Sequence, residues 1–336
     1  MGSSIFPRCS VLLAAALFGS AHIFAAATPP PALLILDKAD NSLAIVDPAT
    51  KSIVGRVPTG EAPHEIAASD DGKLAFASNY GGRTPGHTIS VIDLSAQKEI
   101  HRVDLGPMGR PHGLAFHDGK LYFTAEMAKL VGRYDPSSNK VDWLLGTGQN
   151  KTHMILFAKN GAAAFTSNIG SNTVSAIGMS EGWNETIIPV GKGPEGIDIS
   201  PDGTEVWSAS SGDGSVSIID PATKTVKQAF SIGTKRSNRL KFTPDGKHVL
   251  VSDMGGNELV VIEAEKRQVV KRLKIGKQPE GILIVSSAEN GGKEALVYVA
   301  VSGDNKVAIL DPNTMEVIGH IATGNDPDGM AWAVRK

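Results

Sequence analysis

The chain has one cysteine, Cys9, among 336 residues. That excludes an internal disulfide framework and any zinc finger built on thiolates. Aromatic residues make up 5%, too few for a stacking surface of the kind that holds single-stranded nucleic acid. Neither sign of charge dominates: 33 Lys and Arg stand against 35 Asp and Glu. No basic excess advertises nucleic acid as a partner, and no acidic tail is present. Beyond the first thirty or so residues no apolar run approaches the ~20 residues of a membrane helix. There is no G-x-S-x-G elbow, no phosphate-binding Walker loop and no C-x-x-C-H haem signature. What is abundant is hydrophobic residue, at 41%, and glycine, at 37 residues. The first supplies a large core; the second supplies turns.

The N-terminus reads as an export signal. Arg8 gives a weakly positive start, Val11 to Leu17 is a short apolar stretch, and Ala25-Ala26-Ala27 offers a small-residue cleavage site. Gly19, Ser20 and His22 interrupt the apolar stretch, which is too short for a comfortable span. We therefore expect a signal peptide at 1–27, a Pro-rich linker at 28–32, and a single folded domain at 33–336. The mature chain would be periplasmic or secreted, free of cysteine and without a membrane span.

Self-similarity organises the rest. The segment DPATK occurs identically at 47–51 and 220–224. The unit reads strand, Asp-Gly turn, strand, polar loop, strand ending in Asp, turn, strand, then Gly and Pro. One polar position can be followed through the chain: His64, His112, His153, Glu195, Asn238, Glu280, Asp328, at intervals of 48, 41, 42, 43, 42 and 48 residues. A period in the forties with four short strands per unit predicts an all-β, seven-bladed β-propeller. Six units are complete. The seventh is split, with its innermost strand at the C-terminus and three strands from Leu33 to Gly60, so pairing of the two ends closes the ring and leaves few exposed sheet edges.

The pieces Val46-Asp47-Pro48, Ile219-Asp220-Pro221 and Leu310-Asp311-Pro312, the G-x-x-P-x-G segments (191–196, 276–281, 324–329) and Ser200 to Gly203 resemble the YVTN family of seven-bladed propellers, the surface-layer-type repeat. The resemblance covers about 33–336. The namesake Tyr-Val-Thr-Asn strand is absent; Phe165-Thr166-Ser167-Asn168 is nearest. The resemblance implies the fold and says little of activity, since such folds host binding proteins, lactonases and lyases.

In a propeller the innermost strands line a central channel, so the seven tracked residues should form a ring at its mouth. His64, His112 and His153 come from consecutive blades and are the candidate metal ligands, completed by Glu195 or Asp328. Neutral imidazoles with a carboxylate suit a divalent transition metal such as Zn, Mn, Fe, Cu or Ni. Asn238 and Glu280 complete the channel ring. A second ring is expected where the second strands end: Asp37, Asn79, Glu126, Asn168, Ser210, Asp253 and Val301. Of these, Glu126 and Asp253 are the candidate proton-moving groups. Arg110, Lys151, Lys192, Lys235, Arg236 and Lys277 precede inner strands and predict a cationic rim, with Arg110 and Arg239 as anion clamps. The loop from Tyr80 to His87 is a candidate lid. The remaining histidines read as surface or turn residues. The expected function is binding of a small anionic ligand or a metal ion at the mouth, extending to a metal-dependent hydrolase or lyase. The competing expectation is a non-catalytic module that binds a protein or another envelope component. Nucleic acid is the partner least in keeping with this composition.

Overall fold

In the computed structural model, residues 1–2, 26–180 and 184–336 are described; the expected signal peptide falls almost wholly outside them. The described chain forms seven four-stranded antiparallel sheets. Blade 1 comprises Pro63–Ala68, Leu74–Asn79, Thr88–Asp93 and Lys98–Asp104, and blades 2 to 6 follow in order to Ala322. Blade 7 takes Pro327–Ala333 as its innermost strand and Ala32–Asp37, Ser42–Asp47 and Ser52–Pro58 as the other three. The ring is thus closed by one C-terminal strand on three N-terminal ones, with Leu33 opposite Trp332 and Ile35 opposite Met330. Among the described residues no helix is long and apolar enough to cross a membrane.

Local chemistry sets the strand boundaries. Gly72, Gly119, Gly161, Gly203 and Gly246 close the turns between first and second strands at φ from +66° to +76°, where an L side chain would be strained. The Asp that ends the third strand folds back on the next turn: Asp220 Oδ1 accepts the N–H groups of Ala222 (2.8 Å) and Thr223 (3.1 Å), and Asp47 Oδ1 that of Ala49 (2.9 Å). This is the Asx turn that the repeated DPATK encodes. The segment before blade 7 is packed rather than a free linker: its strand begins at Ala32, and buried Thr28 donates through its hydroxyl to Leu94 O of blade 1.

Apolar side chains fill the space between neighbouring sheets. Leu34, Leu36, Leu43 and Ile45 of blade 7 pack on Ile66, Ala75 and Ile92 of blade 1, and Ala331 and Ala333 of the C-terminal strand join the same cluster. Polar staples cross the same seams. Thr124 Oγ1 accepts the Gly113 N–H (2.8 Å) and donates to His153 O in the next blade (2.5 Å). Ser167 and Ser252 donate likewise to Glu195 O (2.9 Å) and Glu280 O (2.7 Å). The seams are tight: a Cβ on Gly329 would lie 2.3 Å from His64 O, and one on Gly113 would lie 2.5 Å from His153 O.

Two outcomes follow for stability. Removing residues 328–336 should open the ring and lower the melting temperature by roughly 10 °C or more; an unchanged thermal melt would show that closure is not the staple. Gly329→Ala should cost about 1–3 kcal/mol by forcing two backbones apart, read as a shift in the urea midpoint.

Candidate functional site

The head of every innermost strand carries an irregularity in pairing, between Pro63 and Ile66 in blade 1, Pro111 and Leu114 in blade 2, and at the equivalent place in the other five. Such bulges re-aim side chains. The residue following the first paired one is in each case a member of the expected ring. All seven members, His64, His112, His153, Glu195, Asn238, Glu280 and Asp328, line one pocket of about 320 Å³ at the channel mouth.

The expected second ring needs a correction of one residue. Asp37, Asn79, Asn168 and Asp253 face into their own blades. Asn79 donates to Thr88 Oγ1 (2.9 Å) and Ser90 Oγ (3.0 Å). Asp253 accepts the N–H groups of Lys235, Arg236 and Gly256 at 2.9–3.0 Å, so it caps a loop and does not line the pocket. The next residue along is the one that faces the channel, because successive strand side chains alternate: Lys38, Tyr80, Glu126, Ile169, Ser211 and Met254 line the pocket. In blade 2 Ala125 is the residue paired with Pro111, as Asn79 is with Pro63, so Glu126 belongs to this channel-facing set.

One side of the pocket is imidazole. The His112 and His153 rings lie 3.7 Å apart between centroids, and His64 lies 5.4 Å from His112. His153 Nδ1 is 2.6 Å from Glu126 Oε1, and Tyr80 donates its hydroxyl to Glu126 Oε2 (2.7 Å). His64 Nδ1 donates to Ala62 O (2.8 Å), which leaves its Nε2 lone pair free when neutral. His112 Nδ1 and His153 Nε2 are buried without a hydrogen-bond partner. Burial first, then the neighbouring imidazoles His153 and His64, holds His112 well below the ordinary histidine value. Burial also lowers His64, against the pull of Asp328. For Glu126 the hydrogen bond and charge of His153 outweigh burial, and its carboxyl sits below its usual value. Among the described residues no three His, Cys, Asp or Glu side chains are grouped around a common point as metal ligands.

The other side is a buried ion-pair network. Lys38 pairs with Glu280 and lies 3.3 Å from Asp328 Oδ2. Arg239 pairs with Glu65 and lies 3.9 Å from Asp328 Oδ1. Glu65 and Arg239 follow the ring residues of blades 1 and 5, so their ion pair reaches across the channel. Burial and the adjacent Asp328 push Glu280 up to about 7. Burial opposes the charge on Asp328, but Lys38 and Arg239 hold it below its ordinary value. Arg239, expected as an anion clamp, is buried and committed to Glu65. Lys38 and Glu65 carried no signal in the repeat pattern beyond standing one place after two tracked positions.

The rim residues divide. Lys151 and Arg236 line the pocket; Arg110 does not, and instead lies 4.6 Å over the Tyr80 ring. The 80–87 loop is tied by backbone bonds from Gly86 to Tyr80 O (2.8 Å) and from Arg110 to Gly86 O (2.8 Å), and His87 is exposed beside Asp104.

No protein-family model matches the chain. Antigen Lp49 of Leptospira interrogans serogroup Icterohaemorrhagiae serovar copenhageni is 26% identical over 211 residues, which is 56% of this chain and 44% of that protein. The match therefore spans less than half the length of this relative. Among solved structures, hydrazine synthase of Kuenenia stuttgartiensis is 22% identical with a TM-score of 0.67, covering 80% of this chain and 88% of that one. A protein provisionally assigned as a 6-phosphogluconolactonase, from Bacteroides uniformis, is 14% identical with a TM-score of 0.73, covering 90% and 99%. These structural likenesses show the propeller fold alone.

The neutral state of His112 has a consequence for stability. Its folded value lies below the ordinary 6.5, so the unfolded chain takes up the proton first as pH falls. Its contribution is fully present above about pH 6.5 and declines below that, by up to about 1.4 kcal/mol per pH unit. Denaturant unfolding of the protein and of His112→Gln, compared from about pH 7.5 to about pH 5, should show the difference moving in the variant's favour as pH falls. A difference independent of pH would mean that His112 takes up its proton as readily in the folded protein as in the unfolded chain, which would overturn the depressed value.

Proposed function

We propose that this protein is an exported propeller of the YVTN type that binds a divalent transition metal at its channel mouth, through His64, His112 and His153, together with a small ligand. The repeated DPATK and G-x-x-P-x-G segments support the family reading, and the residues from Arg8 to Ala27 support export. The observation that carries the site is the pair of buried imidazole nitrogens, His112 Nδ1 and His153 Nε2, that have no hydrogen-bond partner. Glu126 holds the other nitrogen of His153, an arrangement that fixes the tautomer and raises ligand basicity in metal-binding histidines. His64 offers Nε2 on the same argument. Glu195, whose Oε1 is 4.0 Å from His153 Nε2, is better placed to complete the set than Asp328, which Lys38 and Arg239 engage. Convergence on one ion requires His112 to turn out of its stack on His153.

When bound, such an ion supplies Lewis acidity toward an oxygen-bearing substrate. The reaction this suits is hydrolysis or elimination on a small anionic molecule. Glu126, held by His153 at Oε1 and by Tyr80 at Oε2, is the group proposed to move a proton beside the ion.

Elemental analysis and zinc or copper titration of the purified protein should find about one ion per chain. Substituting the three histidines together with alanine should abolish it. Metal well below that ratio, or unaffected by the triple substitution, would overturn the reading, and retained capture of an envelope component would then favour the non-catalytic module.

A further inference from the structure

Outside the histidine pocket lies a second chamber of about 720 Å³. It shares Tyr80, Glu126 and Lys151 with the first, so the two adjoin. Its remaining walls bring Arg110, Lys129 and Met127 together. Arg110 is held in place, not free to sweep: its guanidinium stacks on Tyr80, and Nη1 and Nη2 donate to Gly81 O (3.4 Å) and Gly82 O (3.1 Å). That leaves guanidinium N–H groups without a carboxylate. Lys129 and Lys151 are exposed, and neither ammonium is ion-paired among the described residues.

The place of Lys129 in the repeat is informative. In blades 7, 3, 5 and 6 the turn into the third strand holds an asparagine with left-handed backbone: Asn41, Asn172, Asn257 and Asn305, at φ from +52° to +57°. Each side-chain oxygen accepts the N–H of the residue just before the next blade or its strand: Ala62 (2.8 Å), Gly193 (2.9 Å), Gln278 (2.9 Å) and Asp326 (3.0 Å). Asparagine tolerates this backbone and supplies an inter-blade clamp. Blade 2 has Lys129 there instead, at φ +54°. A lysine has no acceptor atom, so the clamp on Lys151 N–H is forfeited. Left-handed lysines occur elsewhere in the chain, at Lys51, Lys151 and Lys224, so the backbone alone says little. Blades 1 and 4 also lack the asparagine, with His87 and Gly214 there, so what sets blade 2 apart is that the replacement is a cation lining the chamber beside Arg110 and Lys151.

We propose that this outer chamber is an oxyanion subsite: Arg110, Lys129 and Lys151 take the carboxylate or phosphate end of an elongated small molecule whose polar head reaches the histidine pocket. The inference rests on the reading of that pocket as a ligand site and adds the class of ligand. Arg110 supplies directional donors and the two lysines supply charge. Tyr80, Glu126 and Lys151 line both spaces, so the molecule would pass beside them from one to the other.

Isothermal titration of the purified protein with D-glucuronate, inorganic phosphate and D-glucose tests this. At low salt, D-glucuronate should bind at least about tenfold tighter than D-glucose, and added salt should erode the difference. Lys129→Asn restores the clamp, so it should melt at or above the parent temperature while weakening glucuronate several-fold. Arg110→Gln should weaken glucuronate likewise, and glucose binding should stay as it was in both. Phosphate binding that exceeds glucuronate and falls in the same variants would assign the oxyanion to a phosphate ester. Glucuronate no tighter than glucose, or unchanged in both variants, would overturn the subsite. Metal content of the same samples separates the two readings: a metal-free parent whose glucuronate affinity still falls in Lys129→Asn would retain the subsite and remove the metal.

Discussion

Seven sheets that close around one axis bring the backbone of each innermost strand against the head of the next. The rest of the molecule follows from this crowding. A Cβ at Gly113 or Gly329 would collide with the neighbouring blade's carbonyl, so at these places the strand head can carry only glycine. Where the packing leaves room, the same register carries Glu65, Met154 and Arg239. From this register Glu65 of blade 1 and Arg239 of blade 5 pair with each other across the axis. The bulge at each strand head relieves the crowding and at the same time turns the preceding residue toward the channel. Packing constraint and functional ring are therefore one feature.

The hydroxyl staples serve both ends as well. Thr124, Ser167 and Ser252 each bridge a strand-head N–H to the carbonyl of the next blade's ring residue. A net contribution of about 1 kcal/mol per hydrogen bond is modest. Its larger effect is positional: His153, Glu195 and Glu280 have their main chains fixed from the neighbouring blade. With no cysteine in the domain, hydrogen bonds of this kind and the closure strand do the work that a disulfide does elsewhere.

Within the ring, charge is sorted. Burial disfavours the charged form of His64 and His112 in blades 1 and 2, and Glu126 meets His153 of blade 3 with Tyr80 behind it. The carboxylates of blades 6 and 7 face Lys38 and Arg239. Buried ion pairs are poor sources of net stability because both partners lose their water. Here the network ties Lys38, Glu280, Asp328, Arg239 and Glu65 together and leaves the imidazole side with nitrogens lacking a hydrogen bond. That division gives the mouth a direction, with its open chemistry on the side where Arg110, Lys129 and Lys151 stand.

The fold and the membership of the ring are legible in the order of the residues alone. A repeat in the forties, Asp-Gly turns and a split final unit leave little freedom, because turn chemistry and strand period are local properties. That order also brought His64, His112 and His153 into one register, since every blade obeys the same period. What each side chain meets depends on the folded ring. Asp253 and Glu126 look alike as acids at strand ends, yet one caps a loop and the other faces the channel, because side-chain direction reverses with a slip of one residue. Arg239 reads as a clamp for a ligand's charge, but only the geometry across the axis pairs it with Glu65, 174 positions away. Lys38 gave no signal in its own repeat, and its role appears only where the N-terminal strand meets the C-terminal one. Contacts that cross between blades depend on distances that no local pattern encodes.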